Sequence, residues 1–302
     1  MSRQGSHLKS RINALLGDLT GYQLHRRQSD LALAEAGTAG ARKTGPRKAG
    51  ASKTEARKAD AARTDQGPGP DAARAERVPA HFDKDAIELI RKVRPRTMTS
   101  PIKLFALIQS VRYAVAAQLP GDIVECGVWR GGSMQAVAWA LEAAGDTERD
   151  LYLFDTFEGM PPPTSHDRRT RDGSTAADLM QRHDTSHPVW AVAGLDDVIE
   201  GMAETNYPEQ RVHMVKGLVE DTIPTEAPEQ IAILRLDTDW YASTRHELEH
   251  LYPRLVPGGV LILDDYGHWE GARKATEEYL SSIKDELLLL PMATGRIAVK
   301  PG

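Results

Sequence analysis

The sequence predicts an α/β fold: a mostly parallel, seven-stranded sheet closed by a C-terminal antiparallel hairpin, behind a disordered N-terminal tail. Three observations carry this expectation. From about residue 81 onward, short apolar runs alternate with helical patterns, the order of successive βαβ units. Several of those runs stop abruptly at acidic residues: Glu125, Asp155, Asp237 with Asp239, and Asp264 with Asp265. Residues 36–80 contain no aromatic residue and are dominated by Ala, Arg, Lys, Gly, Thr and Pro. Such a composition cannot bury enough apolar surface to offset chain entropy.

The chain has 302 residues and a formal net charge of −5, unevenly spread. Residues 1–80 carry 15 Lys and Arg against 8 Asp and Glu, a net +7, so the remainder carries −12. An acidic body of this kind is a poor candidate for a binder of nucleic-acid phosphates. The single cysteine, Cys126, excludes an intramolecular disulfide framework. No apolar run reaches the roughly 18 residues of a membrane span, and the N-terminus lacks the apolar centre of a signal peptide. A cytoplasmic location is expected.

The expected organisation is a tail over 1–80 and a folded body over 81–302, itself a helical cover (81–120) and a sheet domain (121–302). Within the tail, Leu8, Ile12, Leu15, Leu16 and Leu19 follow a helical period, so a short amphipathic helix is expected over 6–20. Such a helix forms against a partner or a second subunit, which makes a homo-oligomer one reading of it. Asp83 to Arg94 reads as a helix ended by Pro95, and Pro101 to Gln118 as a second one. The stretch GDIVECGVWRGGSMQAVAWAL then supplies a strand from Asp122, a turn with Gly127, Gly131 and Gly132, and a helix from Ser133. Glycines at such a turn let the backbone approach a ligand, and free N–H groups at the helix start meet its polar end.

The next strand, Leu151–Phe154, closes at Asp155, where a carboxylate can accept from ribose hydroxyls. The spacing is not GxGxxG, and Glu125 beside the glycines would repel a pyrophosphate. A sulfonium nucleoside tolerates that charge better, so S-adenosylmethionine is preferred over NAD. Residues 158–188 form a polar, Pro-rich insertion, read equally as a lid or a solvated loop with a short helix near Thr175–Arg182. A helix over Leu195–Ala203 and a strand over Val212–Val215 follow.

Ile231–Leu236 and Val260–Leu263 are the next strands, joined by a helix from Ser243 to Tyr252 and a turn at Val256–Gly259. A strand, a crossover helix and a parallel strand bring both C-terminal ends to one sheet edge. Asp237, Asp239, Asp264 and Asp265 should therefore converge, and gathered carboxylates call for a cation or a proton. A hard divalent ion is the expected answer. A helix over Gly271–Ile283 and two strands, Leu287–Leu290 and Arg296–Val299, end the chain.

The blocks VECGVWRGGS, LFDTFEGMP, VKGLVEDTIP, LRLDTDWYAST, LYPRLVPGGVLILDDYGHW and TGRIAVK resemble the macrocin O-methyltransferase family over about residues 95–300. The resemblance implies a Rossmann-like class I methyltransferase fold, S-adenosylmethionine as donor, and Mg2+. It also implies an acceptor that is a sugar hydroxyl of a glycosylated natural product or glycolipid, as in antibiotic biosynthesis. A catechol-like or other small diol is the alternative acceptor, and a non-enzymatic binding role the remaining one. The metal ligands it implies are Asp264 and Asp265 with either Asp237 or Asp239. Whichever of Asp237 and Asp239 is less engaged with the ion is the expected base, with His268 next. Donor contacts are expected from Met98, Thr99, Glu125, Gly127, Gly131, Ser133 and Asp155. Trp240, Tyr241 and the Tyr266–Trp269 segment are candidate apolar faces for a sugar.

Overall fold

A computed structural model describes residues 78–302. The helix expected over 6–20 and all but the end of the expected disordered tail lie outside the described residues. The Asp83 carboxylate accepts from the Ala86 N–H at 2.9 Å and starts helix α1 (Lys84–Val93). Pro95 then forces a single 3-10 turn before α2 (Pro101–Ala116). Leu104, Leu107, Ile108 and Val111 form the buried stripe of α2 at helical spacing. These helices cover one face of the sheet.

The sheet elements follow in chain order as β1 (Asp122–Cys126), α3 (Gly132–Ala144), β2 (Leu151–Asp155), α4 (Ala176–Arg182), α5 (Leu195–Ala203) and β3 (Val212–Lys216). Then come α6 (Val219–Thr222), β4 (Ile231–Leu236), α7 (Tyr241–Leu251), β5 (Leu255–Leu263), α8 (Glu270–Ser282), β6 (Leu290–Met292) and β7 (Gly295–Val299). The strand order is β3-β2-β1-β4-β5-β7-β6, with β1 to β5 parallel and β7 antiparallel to both neighbours. The strand order reverses between β1 and β4. Ligands of open α/β sheets bind at such a reversal, beyond the carboxyl ends of the strands.

Two strand boundaries differ from expectation. β5 begins at Leu255, and the segment expected to turn at Val256–Gly259 is a register shift inside the strand: Ile231 pairs with Leu255 but Ile233 with Val260. The two glycines absorb the extra residues as a bulge. β6 starts at Leu290, three residues late, because Leu287 and Leu289 pack against the buried residues around Tyr252 and Tyr279 before pairing with β7 begins.

The insertion after β2 is a built wall. Arg169 bridges Trp269, Thr170 N–H donates to the His268 carbonyl at 2.9 Å, and Ala176, Leu179 and Met180 pack with Trp240, Trp269 and Ala272. Its tightest anchor is Asp167, fully buried, which accepts from the Tyr241 N–H at 2.7 Å and the Thr164 N–H at 2.6 Å. Among the described residues no helix is long and apolar enough to cross a membrane.

Candidate active site

Register builds the site. Leu236 and Leu263 are partners across β4 and β5, so the residues that follow, Asp237 and Asp264, leave the sheet side by side. Asp264 N–H donates to the Leu236 carbonyl at 2.9 Å, and Asp237 N–H to the Cys126 carbonyl at 2.9 Å. Gly127 has φ +84, and a Cβ there would lie 2.1 Å from the Asp237 carbonyl oxygen. Only glycine lets the β1 loop come this close to β4. Gly132 serves the same end against the Arg96 carbonyl, 2.6 Å from where its Cβ would be. At both positions the close approach is to protein backbone, whereas a ligand was the expected neighbour.

One carboxylate oxygen from each of Asp237, Asp264 and Asp265 lies within 4.8 Å of the others. Asp239 is not part of this group; it stands one step further out with φ +65, and its N–H donates to Asp265 Oδ2 at 3.1 Å. The four expected carboxylates thus meet as a group of three with Asp239 beside it.

Two cations that the sequence reading passed over sit among them. Arg235 lies inside the run read as apolar, 2% exposed. It is the cross-strand partner of Glu125, also fully buried, and donates to Glu125 Oε1 through Nη1. Its Nη2 reaches Asp237 Oδ2 at 2.7 Å, Asp264 Oδ1 at 2.7 Å and Thr99 Oγ1 at 2.9 Å. Lys103, from α2, donates to the Asp264 carbonyl at 2.9 Å and to Asp264 Oδ2. Lysines on α2 gave no sequence signal of burial, since only its contact 161 residues away explains one.

The charges divide the carboxylates into two kinds. Burial would raise the Asp264 pKa, but Lys103 and Arg235 outweigh it and hold the group below the usual carboxylate range. Burial and the neighbouring acids push Asp237 and Asp265 well above that range, and Asp239 to about 7. Burial alone would lower the Lys103 pKa, yet Asp264, Asp265 and Asp237 raise it, so the ammonium stays charged. Five carboxylates, counting Glu125, face two resident cations. Oxygen donors carrying unmatched negative charge fit a hard divalent ion.

These groups border a cavity of about 400 Å³. Of the expected donor contacts, Met98, Thr99, Gly127, Ser133 and Asp155 line it, while Glu125 and Gly131 do not. Glu125 lies behind Ser133, whose hydroxyl donates to it at 2.6 Å. Asp155 Oδ2 accepts from the Val128 and Trp129 N–H groups at 2.7 and 3.0 Å, and Oδ1 from Phe157 N–H at 2.7 Å. Thr156 Oγ1 lies 3.4 Å from Oδ1 as well, but its one proton has a closer acceptor in the Gly159 carbonyl at 2.6 Å, so the fourth acceptor position of Asp155 is only weakly held.

All four expected metal-site aspartates line the cavity, with Lys103. So does His268, pushed down to about 4 by desolvation and by the nearby Lys103, Arg169 and Arg171. Of the aromatic candidates Trp269 lines the cavity. Trp240 instead donates from its indole to the Pro161 carbonyl, Tyr241 to Glu278 and Tyr266 to Glu277. Residues 159–191 supply much of the remaining wall, including Met160, Arg169, Leu179 and Val189.

Residues 72–289 match the family model of the Macrocin-O-methyltransferase (TylF) group. Among curated proteins, the chain is 37% identical over 183 residues to 8-demethyl-8-(2,3-dimethoxy-alpha-L-rhamnosyl)-tetracenomycin-C 4'-O-methyltransferase of Streptomyces olivaceus, covering 61% of this chain and 67% of that one. It is 34% identical over 194 residues to Mycinamicin III 3''-O-methyltransferase of Micromonospora griseorubida, covering 64% and 74%. Among solved structures, the O-methyltransferase NovP superposes with a TM-score of 0.59 at 29% identity, over 68% of this chain and 83% of that one. The calicheamicin methyltransferase CalS11 shares the fold, with a TM-score of 0.51 at 22% identity over 78% and 99%.

Proposed function

The chain belongs to the macrocin O-methyltransferase family and is an S-adenosylmethionine-dependent O-methyltransferase; we propose that it methylates a sugar hydroxyl of a glycosylated natural product with the help of a divalent ion, Mg2+ by the chemistry of its donors. The observation that carries this reading is the meeting of Asp237, Asp264 and Asp265 on the wall of the cavity that Gly127, Ser133 and Asp155 also line. The curated relatives support the sugar over the catechol acceptor, since both carry methylated positions of a glycosylated compound in their names.

Each group has a role within that reading. Asp155, through its weakly held fourth acceptor position, takes a ribose hydroxyl of the donor, and Met98 and Thr99 close over the donor from the cover. Asp237, Asp264 and Asp265 hold the ion, which when bound supplies Lewis acidity toward the acceptor hydroxyl. Asp239, beside the group and outside it, takes the hydroxyl proton as the methyl carbon leaves sulfur for oxygen. His268, neutral at pH 7, is the second candidate for that proton. The wall from the insertion excludes water and sets the two substrates in line. The acceptor in this reading is a small-molecule glycoside.

The test uses the full chain with S-adenosylmethionine and an L-rhamnoside acceptor. Methyl transfer should vanish on chelation and return with Mg2+. Asp265→Asn should lower kcat/KM by at least about a hundredfold while S-adenosylhomocysteine still binds by calorimetry. Turnover that persists in excess chelator rejects the metal reading; turnover of catechols with none of glycosides rejects the acceptor.

A further inference from the structure

Lys103 stands out as a group whose position the reaction does not require. It comes from α2, outside the sheet, and is nevertheless 8% exposed with its ammonium on the cavity wall. Burying an ammonium is costly unless its partners are close and fixed. Here the partner is a single residue, Asp264, gripped at both its carbonyl and its carboxylate. The other oxygen of that carboxylate takes Arg235 at 2.7 Å. Both Asp264 oxygens are therefore held by protein cations, while Asp237 offers one oxygen free of Arg235 and Asp265 accepts from the Asp239 N–H at 3.1 Å. Asp264 thus has a protein cation on each oxygen, Asp237 has Arg235 on one, and Asp265 forms no bridge to a Lys or Arg among the described residues.

We propose that Lys103 is a resident competitor of the divalent ion, holding Asp264 in place in the metal-free protein and lowering the affinity of the site for the metal. The inference rests on the metal reading above and adds a positioning residue to it. Two effects of the ammonium pull the same way. It shares Asp264 Oδ2 with any ion that uses that oxygen, and its positive charge repels a second cation held by the same three carboxylates. Arg235 differs in kind: it is a strand residue tied to Glu125, Thr99 and two aspartates at once, so it is fixed scaffold. Lys103 has one partner and a flexible four-carbon stem.

The experiment is calorimetric titration of Mg2+ into the full chain, without donor or acceptor, for the wild type, Lys103→Met and Lys103→Arg. Methionine keeps the apolar stem and removes the charge; arginine keeps the charge. Lys103→Met should bind Mg2+ on the order of tenfold more tightly, and Lys103→Arg within a few-fold of wild type. Thermal melts should show a lower Tm for Lys103→Met without metal, and a larger rise on adding Mg2+ than in wild type. Equal or weaker binding by a folded Lys103→Met protein, judged by its circular dichroism, overturns the proposal. If wild type and both variants bind no Mg2+, the metal reading itself fails, which is a distinct result. A Lys103→Met protein with unchanged Mg2+ affinity but collapsed kcat would instead make Lys103 part of the chemistry, and that too overturns it.

Discussion

Glu247 is a single residue whose protonation should be visible in the stability of the whole protein. It is fully buried on α7, accepts from the Thr238 hydroxyl at 2.9 Å through Oε1, and has no partner for Oε2. Burial pushes its pKa up to about 8. The folded protein therefore holds a proton that the unfolded chain loses above its ordinary carboxylate pKa. Between about pH 4.5 and 8 the native state binds more protons, so stability falls as pH rises, by up to about 1.4 kcal/mol per unit. Glu247→Gln keeps the bond from Thr238 and cannot ionise. Urea melts at pH 5.5 and pH 8 should show a smaller loss in the variant than in wild type; equal losses would place the titration elsewhere. At this scale the sequence was only partly legible. Asp237, Asp239, Asp264 and Asp265 were visible because each ends an apolar run. Arg235, Lys103 and Glu247 were not, because a buried charge is explained only by a partner far along the chain.

At the scale of elements, the insertion between β2 and β3 decides how the site is walled. It was readable as either a lid or a loop, since Pro-rich polar sequence specifies neither. What settles its form is Asp167, which closes a turn onto Thr164 and satisfies the Tyr241 N–H at the open end of α7. A helix start leaves such donors unpaired, and a buried acceptor there is worth roughly 1–3 kcal/mol. Gly271 makes the contact close: a Cβ at that position would lie 2.1 Å from Asp167 Oδ1. Asp167→Ala should destabilise the fold by about 2 kcal/mol in denaturant melts. It should also raise the KM for the acceptor more than that for S-adenosylmethionine, because the anchored wall faces the aspartates. An unchanged acceptor KM would detach the wall from acceptor binding. The strand boundaries at β5 and β6 belong to the same lesson. Apolar pattern locates a strand, but pairing with a neighbour sets where it starts.

At the scale of the whole molecule, the described residues that border the cavity all lie at Thr97 or beyond, and the family match begins at residue 72. Deleting residues 1–71 should leave kcat and KM on a small rhamnoside within about twofold, a change under roughly 0.4 kcal/mol. A large loss would assign that segment a part in forming the active enzyme, for instance through subunit association, and sedimentation of both forms would show it. The acidic remainder, with its net −12, agrees with a body that gathers a cation.

The amino-acid order alone determined the βαβ succession, the terminal hairpin and the strand tips where acidic groups emerge, because hydrophobic period and its interruption are local properties. It left open which aspartate joins the group and how their charge is balanced. Those answers depend on register between β1, β4 and β5 and on α2 lying over their ends. Side chains 29 to 161 positions apart meet only once the sheet is assembled, and electrostatic energy follows distance in space.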